Sequence, residues 1–358
     1  MQVTQAPSPT AVTNDGTPAT HNGAASSDAQ LAAAGDVLRR LTNAVKARVI
    51  GRDEVIDLTV IALLADGHVL LEDFPGSGKT TLAKALGETI IDDRDTPSEV
   101  PIAAFRRIQF TPDLLPSDVT GSSIFDINTN NFHFRHGPIF AHVVLADEIN
   151  RTSPKVQSAM LEAMGEKQVT VDNVTYPLDP LFFVIATQNP LDLVGTYPLP
   201  TPQLDRFLFK ISMTHIERDA ELEVLQTWQQ RRDLIEQPAR VTRNEILSAR
   251  QTIDSRVHIA DSIKTALVDI ARALRADERV LQGNSTRSLV LSLPALQVLA
   301  ALRGRNYVNA DDLETLLPPI LAHRVELAPG VADFKRVLKD CMRDPIETLA
   351  RSTLKAAS

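Results

Sequence analysis

The sequence predicts an α/β protein, in which a parallel sheet covered by helices on both faces is followed by a smaller helical domain. Three observations carry this prediction. Short, almost continuous apolar runs alternate with helical segments between residues 37 and 215. A glycine-rich stretch, "FPGSGKTT", joins one of these runs to a helical segment. After residue 217 the strand-like runs stop, and amphipathic helical patterns continue.

Composition bounds the class of protein. The chain has 358 residues and 43% hydrophobic content, enough for two domains with a sizeable core. Its net charge of -8 disfavours a large non-specific nucleic-acid surface. Cys341 is the only cysteine, which excludes an internal disulfide framework and suits a reducing compartment. No apolar run is long enough to predict a membrane span. We therefore expect a cytoplasmic location.

The predicted domain organisation has three parts. Residues 1–34 contain no aromatic residue, lysine or arginine, so they lack the features of a signal or transit peptide and are predicted to be a disordered tail. Residues 35–215 form the sheet-containing core, and residues 216–358 form an all-α domain. Within that domain "ADSIKTALVDIARAL" has one apolar helical face, and Asn309 is a predicted N-cap.

The glycine-rich stretch fits the end of the phosphate-binding pattern G-x-x-x-x-G-K-[ST]. The pattern places its last glycine at Gly78, its lysine at Lys79 and its hydroxyl at Thr80. The apolar run "HVLLE" precedes it as a strand, and "TTLAKALGETI" follows it as a helix. We expect backbone N–H groups from Gly76 to Thr81 to surround the β-phosphate, Lys79 to reach the β- and γ-oxygens, and Thr80 to ligate Mg²⁺. A glycine turn with an incidental lysine is the alternative.

The first position of the pattern is Asp73 instead of glycine. If this position needs a left-handed backbone, a non-glycine residue costs about 1–2 kcal/mol, and aspartate is among the more tolerant residues. Several charge-assisted hydrogen bonds, at about 1.5–3 kcal/mol each, outweigh that cost. We therefore expect nucleotide binding to be retained, with reduced affinity.

Polar residues follow two other predicted strands. "AHVVLADEIN" ends in Asp147 and Glu148, whose side chains point in different directions because strand side chains alternate. Asp147 is the candidate for the magnesium shell, and Glu148 for the water that attacks the γ-phosphate. "LFFVIATQN" ends in Asn189, which can hydrogen-bond that water. The alternatives are a solvated strand end for the two acids and a turn residue for Asn189.

Longer stretches resemble the MoxR group of AAA+ ATPases. They are "INRTSPKVQSAMLEAM", "ATQNPLDLVGTYPLPTPQLDRF" and "LLPPILAHRVEL", in the order and spacing of that group. The resemblance covers roughly residues 37 to 330. It implies a AAA+ P-loop core, which is an αβα sandwich with a parallel sheet, and an all-α lid. It also implies a ring, usually a hexamer, that binds ATP and Mg²⁺ between subunits.

The resemblance assigns further roles to individual residues. It makes Asn189 the first sensor, Arg206 the finger that enters a neighbouring subunit's site, and Arg287 the second sensor on the lid. Each arginine could otherwise be an ordinary structural or surface charge, and Arg206 could pair with Asp205. The stretch that lies against adenine contains Ile50 and Gly51. The phosphate loop comprises Gly76, Ser77, Gly78, Lys79, Thr80 and Thr81.

Two segments are predicted to form hairpins: "GSSIFDINTNNFHFRH", turning at "NTNN", and "QVTVDNVTYPL". In MoxR relatives both lie near the pore of the ring. His133 and His136 in the first hairpin could suggest a metal site. Because no third ligand is nearby in the sequence, exposed histidines are the preferred interpretation.

The resemblance leaves more than one function open. It favours an ATP-driven enzyme that remodels or matures a partner protein, typically a von Willebrand factor A domain protein. A nucleic-acid motor is the alternative from another class, and the few basic residues of the first hairpin disfavour it. A binding switch with slow hydrolysis is the third possibility. Stimulation of turnover by DNA would favour the motor, and a very low turnover rate would favour the switch.

Overall fold

The computed structural model describes residues 22–72, 74, 76–94, 102–189, 195–229 and 240–356. The first helix begins at Asn22, so the prediction of a disordered tail over residues 1–34 does not hold for residues 22–34. That segment is rich in alanine, which has the highest helix propensity, and Ala34 is buried in the core. Residues 1–21 and Asp73, on which other predictions fall, lie outside the described residues.

The described chain alternates strands and helices over its first half and is mainly helical afterwards. The strands are β1 (Val69–Glu72), β2 (Ile90–Ile91), β3 (Ala103–Gln109), β4 (Gly121–Asp126), β5 (Asn131–His136), β6 (Ala141–Asp147), β7 (Gln168–Val171), β8 (Val174–Pro177), β9 (Phe183–Gln188), β10 (Phe209–Ser212), β11 (Val241–Thr242), β12 (Val280–Gln282) and β13 (Glu326–Leu327). The helices are α1 (Asn22–Lys46), α2 (Asp53–Leu64), α3 (Lys79–Thr89), α4 (Pro116–Thr120), α5 (Pro154–Glu166), α6 (Thr201–Leu204), α7 (Arg218–Gln226), α8 (Arg243–Arg256), α9 (Asp261–Ala276), α10 (Thr286–Leu302), α11 (Ala310–Leu321) and α12 (Phe334–Ala356).

The predicted fold class is confirmed. Five parallel strands form the central sheet in the order β10-β1-β9-β6-β3. Ile185 of β9 lies opposite Val69 of β1 on one side and Leu145 of β6 on the other. Because the strands are parallel, their carboxyl ends share one edge of the sheet, where ligands of open α/β sheets bind.

Both faces of the sheet are covered, as the unbroken apolar strands require. Leu70 and Val144 face a core that includes Met160 of α5. Leu71 and Leu145 face the opposite way, into a core that continues through α1, α2 and α3 into the helices after residue 242. One face of the sheet therefore shares a continuous apolar core with the helical second half of the chain.

The second half is not entirely helical. β11 pairs in parallel with β2 of the core, and β12 pairs antiparallel with β13. Pairings of two or three residues are too short to leave a period-two pattern in the sequence, which is why they were not predicted. Asn309 does cap α11, since its side chain accepts a hydrogen bond from the Asp312 N–H at 3.2 Å.

The two predicted hairpins are confirmed as β4–β5 and β7–β8. In the first, His133 is exposed, and the ring of His136 lies edge-on to Phe134 and Phe140. Among the described residues, no group of three or more His, Cys, Asp or Glu side chains is placed to hold a metal ion. The described helices include none that is both long and apolar enough to cross a membrane.

Candidate functional site

The glycine-rich loop connects β1 to α3 at the carboxyl edge of the sheet. Gly76 and Gly78 have φ angles of +91° and +95°, which side-chain-bearing residues rarely adopt. Among the described residues, apart from the chain neighbours of each glycine, no atom lies within 4 Å of a Cβ placed on either residue, so this side of the loop is open. The Ser77 hydroxyl is buried and has no hydrogen-bond partner among the described residues. An open concavity with an unsatisfied polar atom at the start of a helix fits a phosphate group.

Lys79 and Asp147 meet behind this loop. The Lys79 Nζ lies 3.9 Å from the Asp147 Oδ1, and the Asp147 side chain is only 4% exposed. The Thr187 hydroxyl donates to the same Oδ1 at 2.7 Å. The other oxygen, Oδ2, accepts from the Arg107 Nη2 at 2.6 Å and Nε at 3.0 Å. Asp147 is therefore held by one side chain from each strand that flanks β6.

Glu148 has a different set of partners. It follows β6 with a left-handed φ of +57°, and its N–H donates to the Thr187 hydroxyl at 2.8 Å. Its Oε2 accepts from the Gln109 Nε2 at 3.0 Å and lies 3.1 Å from the Arg151 Nε. The left-handed residue turns the chain at the strand end, so the two adjacent carboxylates contact different groups.

The same edge carries the ends of β1 and β9. Gln188 donates to Glu72 at 2.7 Å, and the Lys210 ammonium lies 2.8 Å from the same carboxylate oxygen. Asn189 follows directly and is half-buried. The fold thus places the predicted residues Lys79, Asp147 and Asn189, at or after the ends of β1, β6 and β9, along one edge of the sheet.

A cavity of about 540 Å³ lies beside the phosphate loop. Ile50 lines it, together with Gly76, Ser77, Gly78 and Thr81 of the loop and residues 213–216. The neighbouring Gly51 has a φ of +69°, and a Cβ at this position would lie 2.7 Å from the Ala220 Cβ. α7 therefore packs tightly against this stretch and closes one side of the cavity.

Arg52 links this cavity to the phosphate loop. Its guanidinium donates to the Thr214 carbonyl and, at 3.4 Å, to the Ser77 carbonyl. The Phe74 ring stacks on His215, with ring centroids 6.3 Å apart. The sequence analysis did not identify these residues, because nothing local in the sequence indicates their partners.

Arg206 and Arg287 have other surroundings. Arg206 is half-buried, and its Nη1 donates to the Leu161 carbonyl in α5 at 2.5 Å. Its neighbour Asp205 pairs with Arg324 at 2.7 Å, so in this structure the contact of Arg206 is with a carbonyl group and not with that acid. Arg287 is exposed in the first turn of α10. The fold places both arginines beside the junction between the sheet domain and the last helices.

Arg107 and Gln109 are site residues that the sequence analysis missed. A detectable signal existed, since "FRRIQF" places two arginines inside a strand of an otherwise apolar sheet. Both side chains are exposed and donate to the two strand-end acids, Arg107 to Asp147 and Gln109 to Glu148.

The site fits a nucleotide with a divalent cation. The loop supplies backbone N–H groups and Lys79 for phosphate oxygens. The Thr80 hydroxyl, in the first turn of α3, and the Asp147 carboxylate offer the oxygen ligands that Mg²⁺ prefers. A parallel sheet with this loop, these acids and a helical lid defines the protein as a AAA ATPase, and three family models agree. They are the ATPase family associated with various cellular activities (AAA) over residues 68–209, the AAA lid domain over residues 272–339, and the MoxR domain of MoxR-vWA-beta-propeller ternary systems over residues 36–96.

Comparison with individual relatives identifies the family within this class of ATPases. The YeaC protein of Bacillus subtilis is 48% identical over 78% of this chain and 84% of its own length. The chaperone MoxR1 of Mycobacterium tuberculosis is 36% identical over 83% of this chain and 78% of its own. The crystal structure of a proposed ATPase from Cytophaga hutchinsonii superposes with a TM-score of 0.80 at 34% identity, covering 89% of this chain and 97% of that one. The chain belongs to the MoxR family of AAA+ ATPases, and it is an ATP-hydrolysing enzyme.

Proposed function

We propose that this protein is a Mg²⁺-dependent, ring-forming ATPase that uses ATP turnover to remodel or mature a partner protein. The observation that carries the proposal is the grouping of Lys79, Asp147 and Glu148 beside an open phosphate loop. A chaperone among the relatives supports the remodelling role. The match to the MoxR domain of MoxR-vWA ternary systems supports a von Willebrand factor A domain protein as the partner.

Each residue at the sheet edge has a defined task in this proposal. The loop from Gly76 to Thr81 holds the β- and γ-phosphates, with Lys79 reaching their oxygens. Thr80 and Asp147 hold Mg²⁺, which when bound neutralises negative charge on those oxygens. Glu148 accepts the proton of the attacking water, and Asn189 orients that water.

Other residues bind the base and complete the site across the ring. Ile50 lies against adenine in the cavity between the phosphate loop and α7, and the adjacent Gly51 lets α7 approach closely. Arg206 enters the site of the neighbouring subunit of a hexamer and stabilises charge on the γ-phosphate there. Arg287 on the lid senses the nucleotide bound to its own subunit.

Mixing of inactive subunits tests the shared site. A Lys79→Ala subunit has no functional nucleotide site but carries Arg206, whereas an Arg206→Ala subunit keeps its nucleotide site but supplies no arginine. If Arg206 acts in trans, the mixture regains ATPase activity because some Arg206→Ala sites acquire a Lys79→Ala neighbour on the correct side. Light scattering in ATP first establishes that both variants assemble.

The matched control replaces Lys79→Ala with the double variant Lys79→Ala/Arg206→Ala. This subunit supplies neither a nucleotide site nor an arginine, so its mixture with Arg206→Ala should stay inactive. Equal activity in the two mixtures would contradict a trans role for Arg206.

Capture of the partner tests the remodelling role. Glu148→Gln should bind ATP without turning it over and so hold a purified von Willebrand factor A domain protein in a long-lived complex. The same variant in ADP, and Lys79→Ala in ATP, should release that protein. Equal retention under all three conditions would contradict ATP-driven remodelling of this partner.

A further inference from the structure

The loop that carries Arg206 is held by Arg324, which follows α11 in the lid. The Arg324 side chain is only 2% exposed. Its Nε donates to the Asp205 carboxylate at 2.7 Å, and its Nη2 donates to the Phe207 carbonyl at 2.6 Å. Its Nη1 donates to the Leu208 carbonyl at 3.1 Å. One buried guanidinium therefore binds three of the four residues from 205 to 208, and Arg206 is the fourth.

Two further lid residues contact the same loop. His323 donates from Nε2 to the Phe207 carbonyl at 3.0 Å. The Ser285 hydroxyl lies 3.4 Å from the second oxygen of Asp205 and caps α10, whose first turn contains Arg287. Asp205 thus bridges the end of α11 and the start of α10, directly beside the residue that carries the candidate finger.

The hydrogen bonds of Arg324 to this loop go to Asp205 and to backbone carbonyls, not to the Arg206 side chain. The Arg206 guanidinium instead donates to the Leu161 carbonyl of α5. Its direction is therefore set at one end by α5 and at the other by the backbone that Arg324 holds. A planar guanidinium can bind a carboxylate and two carbonyls at once, which an ammonium group cannot reproduce.

We propose that Arg324 is a positioning residue for Arg206, through which the lid of one subunit controls how that subunit presents Arg206 to its neighbour. The proposal rests on the trans role of Arg206 given above. Its consequence is directional: a lid movement caused by nucleotide in one subunit alters turnover in the adjacent site. The alternative is that Arg324 only attaches the lid to the core.

Arg250 provides a matched control for that alternative. It also joins a helix of the second half, α8, to the core, and its side chain is 12% exposed. Its partners in the described chain are the Leu63 carbonyl at 3.0 Å, the Asp66 carboxylate at 2.7 Å and the Pro180 carbonyl at 3.0 Å. These are the same kinds of chemical group that Arg324 binds, and none of them belongs to the 205–208 loop.

The experiment compares Arg324→Gln with Arg250→Gln. Both should lower the melting temperature and retain the affinity for a fluorescent ATP analogue. Only Arg324→Gln should also lower kcat by about a hundredfold, the loss expected when a catalytic group is displaced by about 1 Å. Mixed with Lys79→Ala, which supplies a correctly held Arg206, Arg324→Gln should regain turnover. Arg250→Gln should gain nothing from the same mixture.

The proposal is supported if Arg324→Gln regains ATP turnover when mixed with Lys79→Ala but not when mixed with Lys79→Ala/Arg206→Ala. If Arg206→Ala recovers with Lys79→Ala and Arg324→Gln does not, the positioning role is overturned while the shared site stands. If neither recovers, the shared site and the positioning role both fall. Should Arg324→Gln fail to assemble, Asp205→Asn replaces it in every mixture, because it weakens the same attachment and keeps the buried arginine.

Discussion

Two regions of the molecule use charged side chains in opposite ways. The phosphate edge consists of Lys79, Asp147 and Glu148 at the carboxyl ends of the strands. The lid joint consists of the pairs Asp179–Arg243 and Asp205–Arg324, which connect the core to the second half of the chain. Both regions contain acids next to bases, but their partners and burial differ.

At the phosphate edge, the two arginines next to the acids are partly in water, whereas Lys79 is 13% exposed and Asp147 is 4% exposed. The Arg107 side chain, paired with Asp147, is 48% exposed, and Arg151, beside Glu148, is 38% exposed. Such partners can leave for solvent when a phosphate or a cation arrives. At the lid joint Asp179 is 3% exposed and Arg324 is 2% exposed, so neither has an alternative partner in water. The arginine partners at the first region can therefore exchange with solvent, whereas the buried members of the second region, Asp179 and Arg324, cannot.

The largest expected effect is a loss of activity at the phosphate edge without a loss of stability. Glu148→Gln should lower kcat by about a hundredfold to ten-thousandfold, because it removes the candidate general base. ATP affinity and melting temperature should be retained, since glutamine keeps the shape of the side chain and its partners are partly solvated. Stopped-flow turnover and calorimetry measure the two quantities. Glu162→Gln, an exposed site on α5, is the control. A large loss of stability without a loss of turnover would contradict the assignment.

The second prediction expects the opposite result at the lid joint, a loss of stability with ATP binding retained. Burial raises the pKa of Asp179, but its contacts with His142 and Arg243 outweigh this and hold the pKa well below its usual range. Asp179→Asn leaves the buried Arg243 without a counter-charge and should lower the free energy of unfolding by about 3 kcal/mol. ATP affinity should persist. Asp219→Asn, in an exposed pair with Arg218, should leave the unfolding curve unchanged. Equal denaturation midpoints for Asp179→Asn and wild type would refute this prediction.

The third prediction concerns the pH dependence of the free energy of unfolding, to which the buried His68 contributes. Burial lowers the pKa of His68 to about 4, and the neutral ring accepts from the Val184 N–H at 3.1 Å and donates to the Met164 carbonyl at 3.2 Å. The unfolded chain binds the proton more readily, with a pKa of about 6.5. Stability is therefore complete above that pH and falls as the pH drops towards 4, by about 2 kcal/mol at pH 5.

His68→Gln should remove most of this dependence, and the exposed His133→Gln should leave it unchanged. Some slope should remain, because burial also lowers the pKa of His323. Urea unfolding at pH 7 and pH 5 measures the effect. If His68→Gln costs the same free energy at both pH values, the titration of His68 does not contribute.

The smallest effect concerns the backbone beside the candidate adenine pocket. Gly51→Ala should strain a left-handed residue by about 1 kcal/mol and also push against Ala220. Gly304 has a similar φ of +72°, and no atom lies within 4 Å of a Cβ placed on it, so Gly304→Ala measures backbone strain alone. Only Gly51→Ala should weaken ATP binding, because only its new methyl group pushes against Ala220 of α7. Isothermal titration calorimetry measures the ATP affinity of both variants. Equal ATP affinities for the two variants would contradict a role of the Gly51–α7 contact in shaping the pocket.

The sequence alone determined the features that depend on neighbouring residues. The phosphate loop was recognisable because a strand, two glycines, a lysine and a helix follow one another directly. The central sheet and the position of Asp147 at its edge followed from unbroken apolar runs, since a strand buried on both faces has no polar alternation. The roles proposed for Asn189, Arg206 and Arg287 came from the family resemblance.

Only the tertiary structure decided which distant residues meet. Arg107 and Asp147 are 40 residues apart, Arg52 and Ser77 are 25 apart, and Asp205 and Arg324 are 119 apart. A side chain's partner depends on strand order and helix packing, which bring segments together regardless of their distance along the chain. Hydrophobic periodicity records which face of an element is buried, but it carries no information about which charged group lies opposite. The sequence therefore specified the phosphate edge, and the folded chain specified the lid joint that holds Arg206 in place.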